Sequence, residues 1–212
     1  IAVPKNLNLP KESIKDFNLY EYFKEDCEVF VVDISNYLIK SKKILGSKRT
    51  SEVLNVSMKY LSDIISKNLP VSIVTFNNLI KEAGLVVNFN EIKIKLKGSI
   101  HSYPVLFKVD MDFWRLTGVW IAEGDFNNGI RIHNTNKEIK KDVIKICNKY
   151  QFSISEDEKA ITINSLFLEK IFKKILGVCG GSENKRLPEI SFILDKESKA
   201  NLLKGYFSGD GS

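Results

Sequence analysis

Two eleven-residue stretches share one pattern: residues 116–126 read LTGVWIAEGDF and residues 202–212 read LLKGYFSGDGS. Each is an apolar helical run with small residues four apart, Gly118 and Ala122 in the first, Gly205 and Gly209 in the second. Positions i and i+4 fall on one helical face, so each run carries a flat stripe along which a second backbone can lie. Glycine inside a helix costs about 1 kcal/mol against alanine, so its use at matched places requires a packing or functional reason. Each run closes on an acid followed by glycine, Glu123-Gly124 and Asp210-Gly211. A carboxylate at a helix C-terminus meets the negative end of the dipole, and two brought together disfavour each other's charge. A divalent cation between them removes that conflict.

On these residues the chain resembles the LAGLIDADG homing endonucleases, in the form found within archaeal inteins. The resemblance implies that the two motif helices pack side by side at a pseudo-twofold axis. It implies further that Glu123 and Asp210 bind the catalytic Mg²⁺ and act in hydrolysing phosphodiester bonds of double-stranded DNA. The segment Asn184-Lys185-Arg186-Leu187-Pro188 is similar to the family's K-x-(I/L)-P segment, which makes Lys185 the basic member of the site. A lysine there could hold or move a proton and stabilise phosphorane charge.

Between the motifs the residues themselves predict a half-domain of α+β type. An alternating strand over 129–134 precedes an amphipathic helix over 137–149 with Ile139, Val143, Ile146 and Cys147 on one side. Short alternating runs over 152–155 and 160–164, joined by an acidic turn at 156–159, predict a hairpin, and a helix follows over 166–176. Alternation sends Ile130, Ile132, Phe152, Ile154, Ile161 and Ile163 inward. Arg131, His133, Ser153, Ser155, Thr162 and Asn164 are left on the opposite face. The resemblance implies a saddle-shaped unit whose polar sheet face lies in the DNA major groove.

Residues 1–108 read as a separate accessory module, with the first repeat over 109–201 and the start of the second over 202–212. In the module, 27–33 (CEVFVVD) predicts a buried strand and 34–45 a helix. The segment from about 50 to 84 has the spacing of a helix-turn-helix: 51–54, the turn 55–57, a helix over 58–66 capped by Ser57, and a further helix over 72–83 ending at Gly84. Its core would be Val53, Leu54, Leu61, Ile64 and Ile65. Lys59, Ser62, Asp63 and Ser66 would face outward, and Lys59 and Ser62 are candidate DNA contacts. Residues 91–97 (EIKIKLK) alternate strictly, with Lys93, Lys95 and Lys97 on one face. Those lysines serve either as phosphate contacts or to protect an exposed edge strand. A second strand is predicted over 101–108, and Asp110 or Asp112 begins the first motif helix.

Composition narrows the partner. A net charge of +6 and a pI near 9.0 suit a polyanion. Cys27, Cys147 and Cys179 show no metal spacing and read as reduced core or surface thiols of a cytoplasmic, intracellular protein. No apolar run reaches the length of a membrane span and no signal peptide is visible. The family pattern implies a second saddle unit beyond Ser212, so the chain is expected to be part of a longer enzyme that is a pseudo-twofold monomer once complete. Little cleavage is expected of residues 1–212 alone. The alternative of another class is a non-catalytic nucleic-acid binder, such as an RNA-splicing maturase of the same fold.

Overall fold

The computed structural model describes residues 14–134, 136–181 and 185–209. The fold class is α+β: eight helices and three small antiparallel sheets among the described residues. The chain divides into two compact units, one of them Phe17–Phe107 and the other formed by the described residues from Lys108 onward together with 14–16.

The Phe17–Phe107 unit opens with β1 (Asp16–Asn18) and the short α1 (Leu19–Phe23). Then come β2 (Val29–Val32), α2 (Ser35–Val53), α3 (Met58–Lys67), β3 (Val71–Ser72) and α4 (Ile73–Ala83). Strands β4 (Lys93–Leu96), β5 (Tyr103–Pro104) and β6 (Leu106–Lys108) close it. The sheet runs β3-β2-β4-β5 with every pair antiparallel. Period-2 alternation buries Val29 and Val31 of β2, and Ile94 of β4 with Ile92 just before it. Against them pack Tyr20, Tyr37 and Phe76, with Tyr37 and Tyr20 edge-on to Phe76 at 5.8 and 6.4 Å.

Three expectations for this unit are corrected. The helix predicted over 51–54 begins earlier: α2 holds two helical stretches joined by a kink at Gly46, at φ 80 and ψ 159, the first ending there as the helix predicted over 34–45 does. Strand β4 lies inside the sheet, hydrogen-bonded on both sides, so its lysines do not protect an edge; Lys93 instead pairs with Asp33 at 3.2 Å. The strand predicted over 101–108 is two strands in two sheets, since β5 pairs with β4 while β6 pairs with β1. Pro104 has no N–H to carry the first ladder on. Ser57 caps α3 through its hydroxyl, which accepts from Tyr60 N at 3.1 Å, and Gly84 ends α4 in the left-handed conformation.

The second unit runs α5 (Met111–Glu123), β7 (Gly124–Phe126), β8 (Ile130–His133), α6 (Lys137–Lys149), β9 (Ile154–Glu156), β10 (Ala160–Ile163) and α7 (Leu166–Lys174). A 3-10 turn at Glu189–Ile193 leads into α8 (Lys196–Gly209). The sheet order is β7-β8-β10-β9, antiparallel throughout. Strand β7 was not expected; Asn128 and Gly129, both at positive φ, make the hairpin turn that joins it to β8. The hairpin's first strand is β9, later than 152–155, so Glu156 pairs with Ile161 and the turn shortens. Helix α7 stops at Lys174, short of the 176 expected, and α8 begins six residues before Leu202. The core holds Phe113, Trp114, Trp120 and Phe172, with Trp120 edge-on to Phe172 at 5.4 Å.

Candidate functional site

Helices α5 and α8 touch backbone to backbone along their small residues. A methyl group on Gly118 would stand 2.7 Å from Tyr206 N and closer still to the Leu202 carbonyl. One on Gly205 would stand 2.9 Å from Val119 N and closer to the Arg115 carbonyl. One on Gly209 would stand 2.5 Å from Ala122 Cβ and 2.9 Å from Glu123 Cγ. Contacts advance along both helices together, 115 with 205 and then 122 and 123 with 209, so the pair is parallel. Their starts lie together too, since one cleft is lined by Asp110 and Met111 and by Asp195 and Ser198.

Both helices start on an aspartate. Asp110 Oδ1 accepts from Asp112 N and Phe113 N at 3.0 and 3.2 Å; Asp195 Oδ1 accepts from Glu197 N and Ser198 N at 2.9 and 3.0 Å. Burial pushes Asp110 up, but hydrogen bonds from Lys149, Tyr150 and Phe113 outweigh it and hold the carboxyl below its ordinary range. Asp112 completes the cluster by its ion pair with Lys149.

At the opposite end the two C-termini converge. A parallel pair places two partial negative charges side by side, and the half-exposed Glu123 adds a full one. Lys185 reaches this end: its half-buried ammonium donates to the Ala122 carbonyl at 3.4 Å and stands 5.9 Å from the Trp120 ring centroid. Gly124 has an ordinary extended φ of −89, so its need for glycine is steric; a methyl there would enter the Trp120 indole. Asp210 lies outside the described residues, and its neighbour Gly209 is the residue packed on Glu123. The Glu123 carboxylate and the helix-end carbonyl oxygens have the donor chemistry that a hard divalent cation takes. Among the described residues no group of three or more His, Cys, Asp or Glu side chains gathers as metal ligands.

The polar face of the second unit's sheet gathers the six residues expected there. Arg131 and Thr162 are directly paired, and Thr162 pairs with Ser155 on its other side. His133, Ser153, Ser155 and Asn164 are exposed, and Asn164 Nδ2 donates to Ser155 Oγ at 3.4 Å. Their inward counterparts are buried, save Ile154, which is half-buried. Two residues missed in the sequence complete the face, and a third, on α6, holds the turn beside it. Asp125 stands opposite Arg131 in register, Asp157 pairs with Arg131 at 2.8 Å, and the buried Lys140 donates to the Asp157 and Glu158 carbonyls at 2.7 and 3.1 Å. Lys140 was hidden in the charged pattern of α6, where only its burial reveals that it pins the β9–β10 turn.

Lys59 and Ser62 belong to the other unit, exposed on α3. The Ser62 hydroxyl donates to the Met58 carbonyl at 3.2 Å, and Asp63 pairs with Lys67 at 2.9 Å. The three cysteines are free; Cys147 is buried and its thiol is pushed up to about 12 by burial, while Cys27 and Cys179 are exposed. Among the described residues no helix is long and apolar enough to cross a membrane.

No family model matches the chain. It is similar to a stretch of the DNA polymerase II large subunit of Thermococcus kodakarensis, 25% identical over 229 residues, covering 100% of this chain and 12% of that protein. A DNA polymerase of Thermococcus sp. (strain GE8) is 26% identical over 188 residues, covering 82% of the chain and 11% of the relative. The DNA-directed RNA polymerase subunit Rpo1C of Methanocaldococcus jannaschii is 28% identical over 129 residues, covering 58% of the chain and 15% of the relative. The chain thus spans about an eighth of the length of these curated relatives.

Proposed function

We propose that the chain is the DNA-cleaving part of a homing endonuclease of LAGLIDADG type, its second unit being the first half of the family's saddle and its Phe17–Phe107 unit an accessory DNA-binding module. The observation that carries the reading is the parallel contact of α5 and α8 through Gly118, Ala122, Gly205 and Gly209, which ends both motif helices at one place beside Glu123 and Lys185. A buried structural helix pair has no need to finish in acids; a phosphodiester hydrolase does. The comparisons support the reading in another way. Three proteins with different names share similarity to this chain over only 11–15% of their lengths, as a segment inserted into different hosts would. A polymerase domain common to all three hosts is a weaker account, because the paired acid-glycine helices are left without a role.

In this reading Glu123 and Asp210 hold Mg²⁺. When bound, the ion supplies a water of lowered pKa and neutralises phosphate charge. Lys185, fixed by the Ala122 carbonyl and the Trp120 face, presents a cation to the phosphate oxygens and can carry a proton at Nζ. Arg131, Thr162 and Ser155, in one row across the sheet, meet the phosphates and base edges of the duplex.

The test is incubation of the natural polypeptide carrying this chain with a randomised duplex library in Mg²⁺, comparing the parent with Glu123→Gln, Asp210→Asn and Lys185→Met. Sequence-selective cutting should fall about a hundredfold or more in each variant. Binding without cutting in every form, the parent included, overturns the endonuclease and leaves a nucleic-acid binder.

A further inference from the structure

We infer that helix α2 of the Phe17–Phe107 unit is a contact surface for the phosphate backbone of duplex DNA. The inference rests on the DNA reading above but assigns the contact to an element that reading does not use. Between Asp33 and Glu52 the chain has no acid and five cations, Lys40, Lys42, Lys43, Lys48 and Arg49. Arg49 is neutralised, by Glu82 at 2.5 Å and Glu52 at 3.4 Å. The four lysines are not: among the described residues none has an acidic partner. Other lysines of the unit are tied, Lys24 to Glu21, Lys67 to Asp63 and Lys93 to Asp33. Lys59, Lys81, Lys95 and Lys97 have no acidic partner among the described residues either, but they are spread over α3, α4 and the β4 segment, so α2 carries the longest run of unneutralised charge in the unit.

Its placement follows helical periodicity. Asn36, Lys40 and Lys43 recur at three- and four-residue steps before the kink at Gly46 and are all exposed, so donors line one face there, and Lys48, just past the kink, is exposed as well. Lysines three apart repel each other by a few tenths of a kcal/mol, a cost that a facing row of phosphates reverses. The kink is held open and rigid. Gly46 at φ 80 would find nothing within 4 Å of a side chain, so the space beside it is clear. Thr50 Oγ1 donates to the Gly46 carbonyl at 2.8 Å and Ser51 Oγ to the Lys48 carbonyl at 2.8 Å, fixing the backbone that carries Lys48. By contrast, the α3 face offers one lysine, a serine hydroxyl already bonded within its helix, and an aspartate. Charge complementarity selects α2.

The experiment measures binding of the full chain to a random-sequence 30-base-pair duplex at several salt concentrations, with a structured RNA in parallel. The test variant is Lys40→Gln/Lys43→Gln/Lys48→Gln. The control, Lys137→Gln/Lys141→Gln/Lys145→Gln on α6, removes equal charge. The α2 variant should lose about tenfold or more in duplex affinity near 0.1 M salt and flatten the salt slope by about 2 to 3, while the control changes less than about twofold. Both variants keeping the melting temperature of the parent excludes unfolding as the cause. Equal losses in both variants, or a loss confined to RNA, overturn the assignment. A parent that binds duplex while the α2 variant binds equally well overturns this inference and leaves the DNA reading standing. A parent that binds no duplex overturns both.

Discussion

Replacing a helical glycine by alanine ordinarily stabilises a helix by about 1 kcal/mol. At Gly118 and Gly205 the sign inverts, because the added carbon meets a backbone carbonyl that no rotamer change can move aside. Gly205→Ala is expected to lower the melting temperature by thermal circular dichroism, and Gly118→Val to lower it further, at an overpacking cost of about 1–3 kcal/mol each. A rise in either would remove the close contact between α5 and α8. These stripes were legible in the sequence because one-face spacing needs nothing beyond the helix itself. Gly124 was legible only as a helix end, and its actual constraint, the Trp120 indole, depends on a rotamer that the sequence does not display. Lys140 shows the converse: a lysine among lysines, distinguished only by being buried under a turn seventeen residues away.

Elements were readable where their boundaries are local. Asn136 at the start of α6, Ser165 at the start of α7 and Ser57 at the start of α3 each accept a backbone N–H from the first turn, and all three helices began where expected. Strand pairing was harder, since neither the interior place of β4 nor the division at Pro104 follows from alternation alone. Asp110 gives this scale its prediction. Its carboxyl is held below its ordinary range in the folded chain, so it adds stability above about pH 4, the unfolded value, and that stability is lost as pH falls through the lower folded value. Asn also caps well, so Asp110→Asn keeps the cap and removes the charge facing Lys149 and Tyr150. Denaturant unfolding should show the variant less stable than the parent at pH 7, with the gap closing toward pH 2. A gap that persists unchanged at pH 2 would assign the effect to packing.

For the whole molecule, the division into two units predicts separate folding. The Phe17–Phe107 unit buries its own aromatic cluster of Tyr20, Tyr37 and Phe76 and satisfies Tyr20 through Asn77 at 3.1 Å. A fragment of 17–107 should therefore melt cooperatively by itself; a non-cooperative fragment would show that the unit needs the rest of the chain. In the other unit, α5 and α8 are far apart in sequence, yet each has a notch filled by the other's main chain. Such reciprocal notches act as a vernier: neither helix can slip along the other without driving a Cα into a carbonyl. The setting of Glu123 is thus independent of the tether between the helices, and loops within residues 127–194 can lengthen without moving it. One residue inserted between Gly118 and Glu123 would instead swing the acid by about 100° and advance it by about 1.5 Å. Tolerance to insertion is therefore abundant in the loops and nil in the last turns of two helices.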